Sequence, residues 1–442
     1  MDNVIAARAL MGISLGFHII YATIGIGLPL MLMLAEGLSL RTGDELYHRM
    51  ARRWIRPAGL LFAIGAVSGT ILSFELGFLW PRFMEQGGPL IGLPFWLEGY
   101  AFFLEAIFLG LYAYGGRRLS PRTLFLCTIP LTVAAAASAV FVISANAWMN
   151  TPAGFRLEGG VLTDIDPLRA MANPAWAHQA VHGTLAAYAA TGFAMAGIYA
   201  LALLRGRAPA YGKKALVLAL AVAGISLPLM LISGDRSAAF LARHEKAKLA
   251  AAEALFETRA GAPLIIGGWP DPEVKKVRYG IEIPGLLSLF AFGDLDAVVT
   301  GLDGFPPGEV PDPRLVHPFF DLMVGSFFFM TAVAAWFWWR RWRAGEVPTD
   351  RRLLWSVVLA APFGMIALES GWLVTEFGRQ PWIVHGVMRV ESGVTPNAGM
   401  GAVFLTFIIV YAVLTVGLLQ MLLRQPESEQ KGDSGEARHD HP

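Results

Sequence analysis

The sequence is short of charge and of cysteine. Only 16% of its 442 residues are Asp, Glu, Lys or Arg, against about a quarter in a soluble globular chain. The net charge is +1, so there is no basic excess of the kind nucleic acid selects, and nucleic acid is excluded as a partner. The one cysteine, Cys127, lies in an apolar run. A disulfide within the chain and a Cys-x-x-Cys site are therefore both excluded, and a bound metal must use His, Met or carboxylate. No segment reads as strands of alternating polarity, which excludes a membrane barrel. No internal repeat is evident. No basic stretch precedes the first apolar run, so that run does not read as a cleaved signal peptide.

What is present is apolar: 55% of residues are hydrophobic, with a mean hydropathy of +0.52. A span needs about 20 mostly apolar residues. Nine such runs occur, at 9–36, 58–80, 94–115, 123–148, 175–204, 215–233, 319–339, 353–376 and 398–423. The fold class expected is an all-α integral membrane protein with nine transmembrane helices. Arginine and lysine crowd the loops after spans 1, 3, 5 and 7, among them Arg49, Arg52, Arg53, Arg117, Arg118, Lys213, Lys214, Arg340 and Arg341. The positive-inside rule then places the N-terminus outside and the C-terminus in the cytoplasm. The chain divides into spans 1–6 (1–233), one long outer loop (234–317), spans 7–9 (318–424) and a polar, disordered tail (425–442). Within the loop, 237–259 reads as a charged helix, and the rest is rich in Gly and Pro turns. The tail histidines His439 and His441 make no credible metal site.

Acids and histidines inside spans are costly and mark functional sites. His18 stands in span 1, Glu98 and Glu105 in span 3, His178 and His182 in span 5, Asp321 and Met323 in span 7, and Glu369 in span 8. By the expected orientation His18, Glu98, His182, Met323 and Glu369 share the outer half of the membrane, and Glu105 lies deeper. Ligand-type side chains at one depth on five helices suggest a cofactor layer. Haem iron takes His, Met or, less often, an oxygen ligand; packing or hydrogen bonding would explain any single His equally well, and Met is common filler. His178, a turn nearer the surface than His182, reads as interfacial. Glu98 and Glu105 share one helix face about 10 Å apart, as a proton relay would require. Ser138 and Asn146 on span 4 are weaker relay candidates. The stretch Ala361 to Trp382 holds Glu369, Glu376 and then Gly378-Arg379-Gln380-Pro381-Trp382, where Pro381 stops the helix. Taken alone, that stretch could be a helix end with snorkelling charges.

In order along the chain stand GFH at Gly16–His18, EGYAFFLE at Glu98–Glu105, ANAWM at Ala145–Met149, AVH ending at His182, GD at Gly234–Asp235, KLAAAE at Lys248–Glu253, Met323, and LESGWLVTEFGRQPW at Leu368–Trp382. Together they resemble subunit I of the cytochrome bd family of quinol oxidases along nearly the whole length. The resemblance implies a haem-binding bundle with three haems near the outer face. His182 and Met323 would be the axial pair of a low-spin haem b. His18 and Glu369 would hold the two high-spin haems, one a haem b and the other haem d or a further haem b, with Arg379 also cofactor-binding. Lys248 and Glu253, and more weakly Asp235, would form the quinol site. Glu98 and Glu105 would carry protons, and with His18 and Glu369 make up the expected catalytic set.

The activity implied is oxidation of quinol (ubiquinol or menaquinol) at the outer face and reduction of O2 to water with cytoplasmic protons, in a bacterial cytoplasmic membrane. A gradient would arise without a pump. The partners implied are a second membrane subunit and a very small single-span one. Three departures stand out. The outer loop is short, as in a branch that includes cyanide-insensitive members with little or no haem d. Met365 stands where some members have Trp. Asp321 stands where a long-loop member has Arg. The competing reading from residues alone is a haem-free, ion- or proton-coupled transporter, though nine spans without repeats fit the inverted-repeat plan poorly.

Overall fold

The computed structural model describes residues 2–116, 118–207 and 209–423; Arg117 and the tail expected at 425–442 lie outside them. In chain order the helices are α1 (Asn3–Thr42), α2 (Glu45–Leu79), α3 (Pro81–Gly115), α4 (Pro121–Asn150), α5 (Pro167–Met171), α6 (Trp176–Leu204), α7 (Pro209–His244), α8 (Lys246–Ala252), α9 (Leu286–Phe292), α10 (Pro313–Ala344), α11 (Arg351–Ala360), α12 (Phe363–Phe377), α13 (Val390–Gly393) and α14 (Met400–Leu423). Nine candidate spans result among the described residues, with α11 and α12 together forming one.

Local chemistry sets the helix ends. Asp44, Ser120, Asp312 and Asp350 cap N-termini by accepting a backbone N–H two or three residues on, which satisfies donors the helix cannot. Pro81, Pro121 and Pro313 open helices where a missing N–H costs nothing. Gly43 and Gly345 close α1 and α10 at φ of about 71°, a conformation glycine adopts without strain. Several helices overrun the expected spans: α2 begins at Glu45 and α3 at Pro81, because their polar ends continue the helix beyond the apolar run. Span 8 is not one helix. Pro362 has no N–H for the ladder, and the chain breaks there between α11 and α12.

Helix α6 is the hub, packing against α1, α4, α7, α11 and α12. Its buried residues are mostly small, including Ala187, Ala190, Thr191, Gly192, Ala196 and Ala200. Small residues let helix backbones approach in the absence of a hydrophobic drive between them. Gly27 of α1 is covered by the Thr191 side chain, and a Cβ on Gly364 of α12 would lie 2.5 Å from Ala190 Cα.

The long loop corrects two expectations. Residues 237–259 are not a single helix. Helix α7 runs on to His244, the chain turns at Glu245, α8 ends at Ala252, and Ala254 has a positive φ of 46°. The chain also carries strands. In the loop, β3 (Arg259–Ala260), β4 (Leu264–Ile266) and β5 (Trp269–Asp271) pair antiparallel with β8 (Val298–Val299), β7 (Ile281–Ile283) and β6 (Lys276–Arg278), one pair nested within the next. Two further hairpins join Arg156–Glu158 to Val161–Thr163, and Trp382–Val384 to Met388–Arg389. Strands of two or three residues are too short for alternation to show in a sequence.

Replacing Gly364 by Val should force α12 off α6. The expected loss is about 1–3 kcal/mol, read as a lower midpoint of thermal unfolding in detergent.

Candidate functional site

A cavity of about 1870 Å³ lies inside the bundle. That is well above the range of about 300–1,000 Å³ for a site holding one drug-sized ligand. It is bordered by His18, Glu98, Glu105, Ser138, Asn146, His178, His182, Asp235, Lys248, Glu253, Met323 and Arg379. Residues far apart in sequence therefore face one space. Glu369 is not among its walls. Its Oε2 sits 3.6 Å from where a Cβ on Gly16 would be, and its Oε1 is buried without a hydrogen-bond partner among the described residues. His178, expected at the interface, borders the cavity with its ring 4.3 Å from that of Phe240.

The two deep histidines are held alike. His18 Nδ1 is 2.9 Å from Ser68 Oγ, and His182 Nδ1 is 2.7 Å from Ser233 Oγ. Ser68 gives its only proton to the Ile64 or Gly65 carbonyl, and Ser233 gives its own to Met230. Each serine must then accept from Nδ1–H. That fixes the tautomer and leaves the Nε2 lone pair available to a ligand. Glycines make the room: Cβ atoms on Gly69, Gly234 and Gly371 would lie 3.0 Å from His18 Cε1, 3.8 Å from His182 Cε1 and 2.9 Å from Met323 Sδ.

At the end nearest the long loop, Lys248 is 5% exposed. Its ammonium donates to Asn150 Oδ1 at 2.5 Å and pairs with Glu245. Burial pushes it below the usual lysine range, against the pull of Glu245. Nearby, Asn146 donates to Glu376 at 2.7 Å, and Arg379 pairs with the same carboxylate at 2.5 Å. Arg379 Nε and Nη1 are buried without partners among the described residues. Glu253 is 4% exposed with Oε2 likewise unpartnered; burial, with the charge of Asp321 adding, raises its carboxyl to about 8. Asp321 itself is occupied: its Oδ2 accepts from Gly267 N at 2.9 Å and lies 3.2 Å from His317 Nε2, tying the loop to α10. Deeper, Ser138 donates to Glu98 at 3.1 Å, and Glu105 is 7% exposed. Asp235 is exposed at the rim.

Sequence reading missed Glu75 of α2, which is 1% exposed and accepts from Ser14 at 2.9 Å. It is the only acid in its apolar run, a signal as plain as that of Glu98 and Glu105 in theirs. Glu36, near the other end of α1, was missed for the same reason. Glu245 and Asn150 carried no signal, since only the fold brings them to Lys248.

The profile of cytochrome bd terminal oxidase subunit I matches residues 6–430. The chain belongs to that family. It is 40% identical to the putative cytochrome bd menaquinol oxidase subunit I of Bacillus subtilis (strain 168), over 96% of each chain. It is 28% identical to the cytochrome bd ubiquinol oxidase subunit 1 of the same organism, over 100% of this chain and 97% of that one. The bd oxidase structure from Geobacillus thermodenitrificans superposes with a TM-score of 0.91 at 40% identity, covering 96% of this chain and 99% of that one. Membership in a terminal oxidase family sets the transporter reading aside.

The residues fit the haem that a cytochrome requires. Among the described residues no three or more His, Cys, Asp or Glu gather to hold a bare metal ion. Haem iron brings its equatorial ligands with it and asks the protein for one or two more. The lone pairs at His18 and His182 Nε2, the Met323 sulfur and the unpartnered Glu369 oxygen are singles of that kind. The unpartnered N–H groups of Arg379 suit a carboxylate on such a group.

Glu253 generates a pH prediction. Its folded-state pKa is raised, so the native loop retains a proton that the unfolded chain loses between about 4.5 and 8. Loop stability should fall as pH rises through that window and level off above it. Amide exchange across residues 246–256, corrected for intrinsic rates, should show easier opening at about pH 9 than at about pH 6. In Glu253→Gln the difference should vanish.

Proposed function

We propose that this chain is the haem-bearing subunit of a quinol:oxygen oxidoreductase in a bacterial cytoplasmic membrane. Quinol is oxidised at the face where the long loop lies, and O2 is reduced to water with protons drawn from the opposite face. The observation that carries the reading is the single cavity, which joins Lys248 and Glu253 at the loop end to His18, His182 and Met323 and to Glu98 and Glu105. Bound haem would supply one-electron transfer and a site at which oxygen is reduced. His182 and Met323 would hold the low-spin haem b, and His18 and Glu369 would hold one high-spin haem each, a haem b and either haem d or a further haem b. Arg379 neutralises a cofactor carboxylate.

Lys248 orients a quinol oxygen. Glu253, with a carboxyl near 8, trades a proton close to neutral pH. Asp235 at the rim gives released protons a way to water. Glu105 and Glu98, two turns apart on α3, pass protons inward with Ser138 as the next hydroxyl. The basic loops put the N-terminus and the quinol site outside. Protons released on one side and consumed from the other separate charge without a pump. A second membrane subunit and a very small single-span one complete the assembly.

The deciding experiment is a dithionite-reduced minus air-oxidised visible spectrum of the purified complex, with the extracted haems identified chemically. Haem b bands are expected, with a red-shifted chlorin band if haem d is present; a folded preparation without haem would overturn the reading. Met323→Leu should abolish the low-spin spectrum or shift its potential, while the high-spin signals stay. Lys248→Ala should slow quinol oxidation about tenfold or more and spare oxygen reduction by artificial donors. Equal loss of both rates would remove Lys248 from the quinol site.

A further inference from the structure

At the end of the bundle opposite the long loop, α1, α2 and α3 bring together three groups that the proposed function leaves idle. Glu36 of α1 is 1% exposed. His48 Nδ1 of α2 lies 3.0 and 2.9 Å from its two oxygens, and the Tyr112 hydroxyl of α3 donates to Oε1. His48 is 30% exposed and Tyr112 wholly buried, so the cluster steps from surface to interior. Arg52 fixes the end of α3 by donating to the Tyr112 and Ala113 carbonyls at 2.9 and 3.2 Å. With Glu45 it is the other charged group facing His48.

A second feature lies just inside. Tyr112 and Glu105 are seven residues apart, which is two turns on one face and about 10 Å. A small cavity of about 10 Å³ is bordered by Glu105, Gly25, Leu28, Pro29, Leu32 and Leu109, the last two standing about one helical turn from Glu36 and Tyr112. That is room on the scale of one water. Pro29 has no N–H, so it cannot serve the Gly25 carbonyl one turn back. A Cβ on Gly25 would lie 4.0 Å from Glu105 Oε1. A water there has a carbonyl and a carboxyl to bond, which leucine walls alone would not give it.

We infer that His48, Glu36 and this water-sized cavity form the proton intake for Glu105. His48 takes a proton from bulk water at Nε2 and releases one from Nδ1 to Glu36. Tyr112 positions the Glu36 carboxylate, Glu36 passes its proton inward to a water in the cavity, and that water hands one on to Glu105. One proton moves at each step and no electron does. The inference rests on reading Glu105 and Glu98 as the proton path.

The test compares oxygen uptake, its solvent isotope effect and anaerobic haem reduction by quinol in the purified complex. The variants are Glu36→Gln, Glu36→Asp, His48→Ala and Glu105→Gln. Glu36→Gln should slow uptake about 10²-fold and raise the isotope effect, with haem spectrum and anaerobic reduction unchanged. His48→Ala should lose about tenfold, and added imidazole should restore the rate saturably, as it would for a missing proton carrier and not for a missing strut. If Glu105→Gln is slow while Glu36→Gln and His48→Ala run at the wild-type rate, the intake is overturned and the path stands. If Glu105→Gln is also fast, the path reading falls and takes the intake with it. Should Glu36→Gln lose its haem spectrum, Glu36→Asp and the imidazole rescue decide: recovery in both supports the intake, and a slow His48→Ala that imidazole leaves unmoved overturns it.

Discussion

The constraint on which this structure depends is the cost of a polar group left unpaired away from water. In a bundle of apolar helices each acid or histidine must find a partner, face a cavity or await a ligand. Glu36 finds His48 and Tyr112, and Glu75 finds Ser14. His18 and His182 each satisfy one nitrogen through a serine and leave the other facing the central space. Glu369 Oε1, Glu253 Oε2 and two nitrogens of Arg379 are left over among the described residues, as are six further buried atoms, among them Glu75 Oε2 and Glu245 Oε1. Groups so expensive to strand, where they stand at or beside the cavity, are best understood as made for something the polypeptide does not itself supply.

Glycine is the other half of that arrangement. Gly16, Gly25, Gly69, Gly234 and Gly371 each stand beside a polar or sulfur-bearing side chain of a facing helix. A side chain at any of them would compete for the space in which Glu369, Glu105, His18, His182 or Met323 sits. The same economy of volume that lets α6 act as hub, with alanine, threonine and glycine at its crossings, lets the functional side chains reach inward without parting the helices. Bundle packing and site geometry are thus one problem, solved by small residues on the helix opposite each large one.

Much of this was legible beforehand, for a physical reason. Twenty apolar residues in lipid have few alternatives to a helix, so nine runs gave nine spans. The acids and histidines stood out against so plain a background, and nearly all border the cavity. What escaped reading was set by contacts distant in sequence. Glu245 and Asn150 reach Lys248 from two different elements, and no spacing announces it. The loop hairpins nest through pairings of two or three residues. The charged run after Ser237 reads as a helix by composition, yet it turns at Glu245 so that Lys248 can point into the protein. Glu369 matched its motif, yet it is not among the cavity's walls, although Leu368, Gly371 and Trp372 of its own helix are. The break at Pro362 was there to be read and was masked by the apolar run on both sides of it.

The placement of the polar groups along the bundle carries a last consequence. Lys248, Glu253 and Arg379 lie towards the end with the long loop, Glu98 and Glu105 further in, and Glu36 with His48 near the opposite end. A reaction whose reductant sits at the first and whose protons enter at the last needs no moving part to be vectorial. On the proposed reading, electrons and protons would approach the same buried space from opposite sides, with apolar walls between to keep each from its shorter route. Such a device depends on insulation as much as on conduction. The leucines around the small cavity below Glu105 then matter as much as the acids. They hold space for about one water, which on the proposed reading would pass a proton without opening a wider channel.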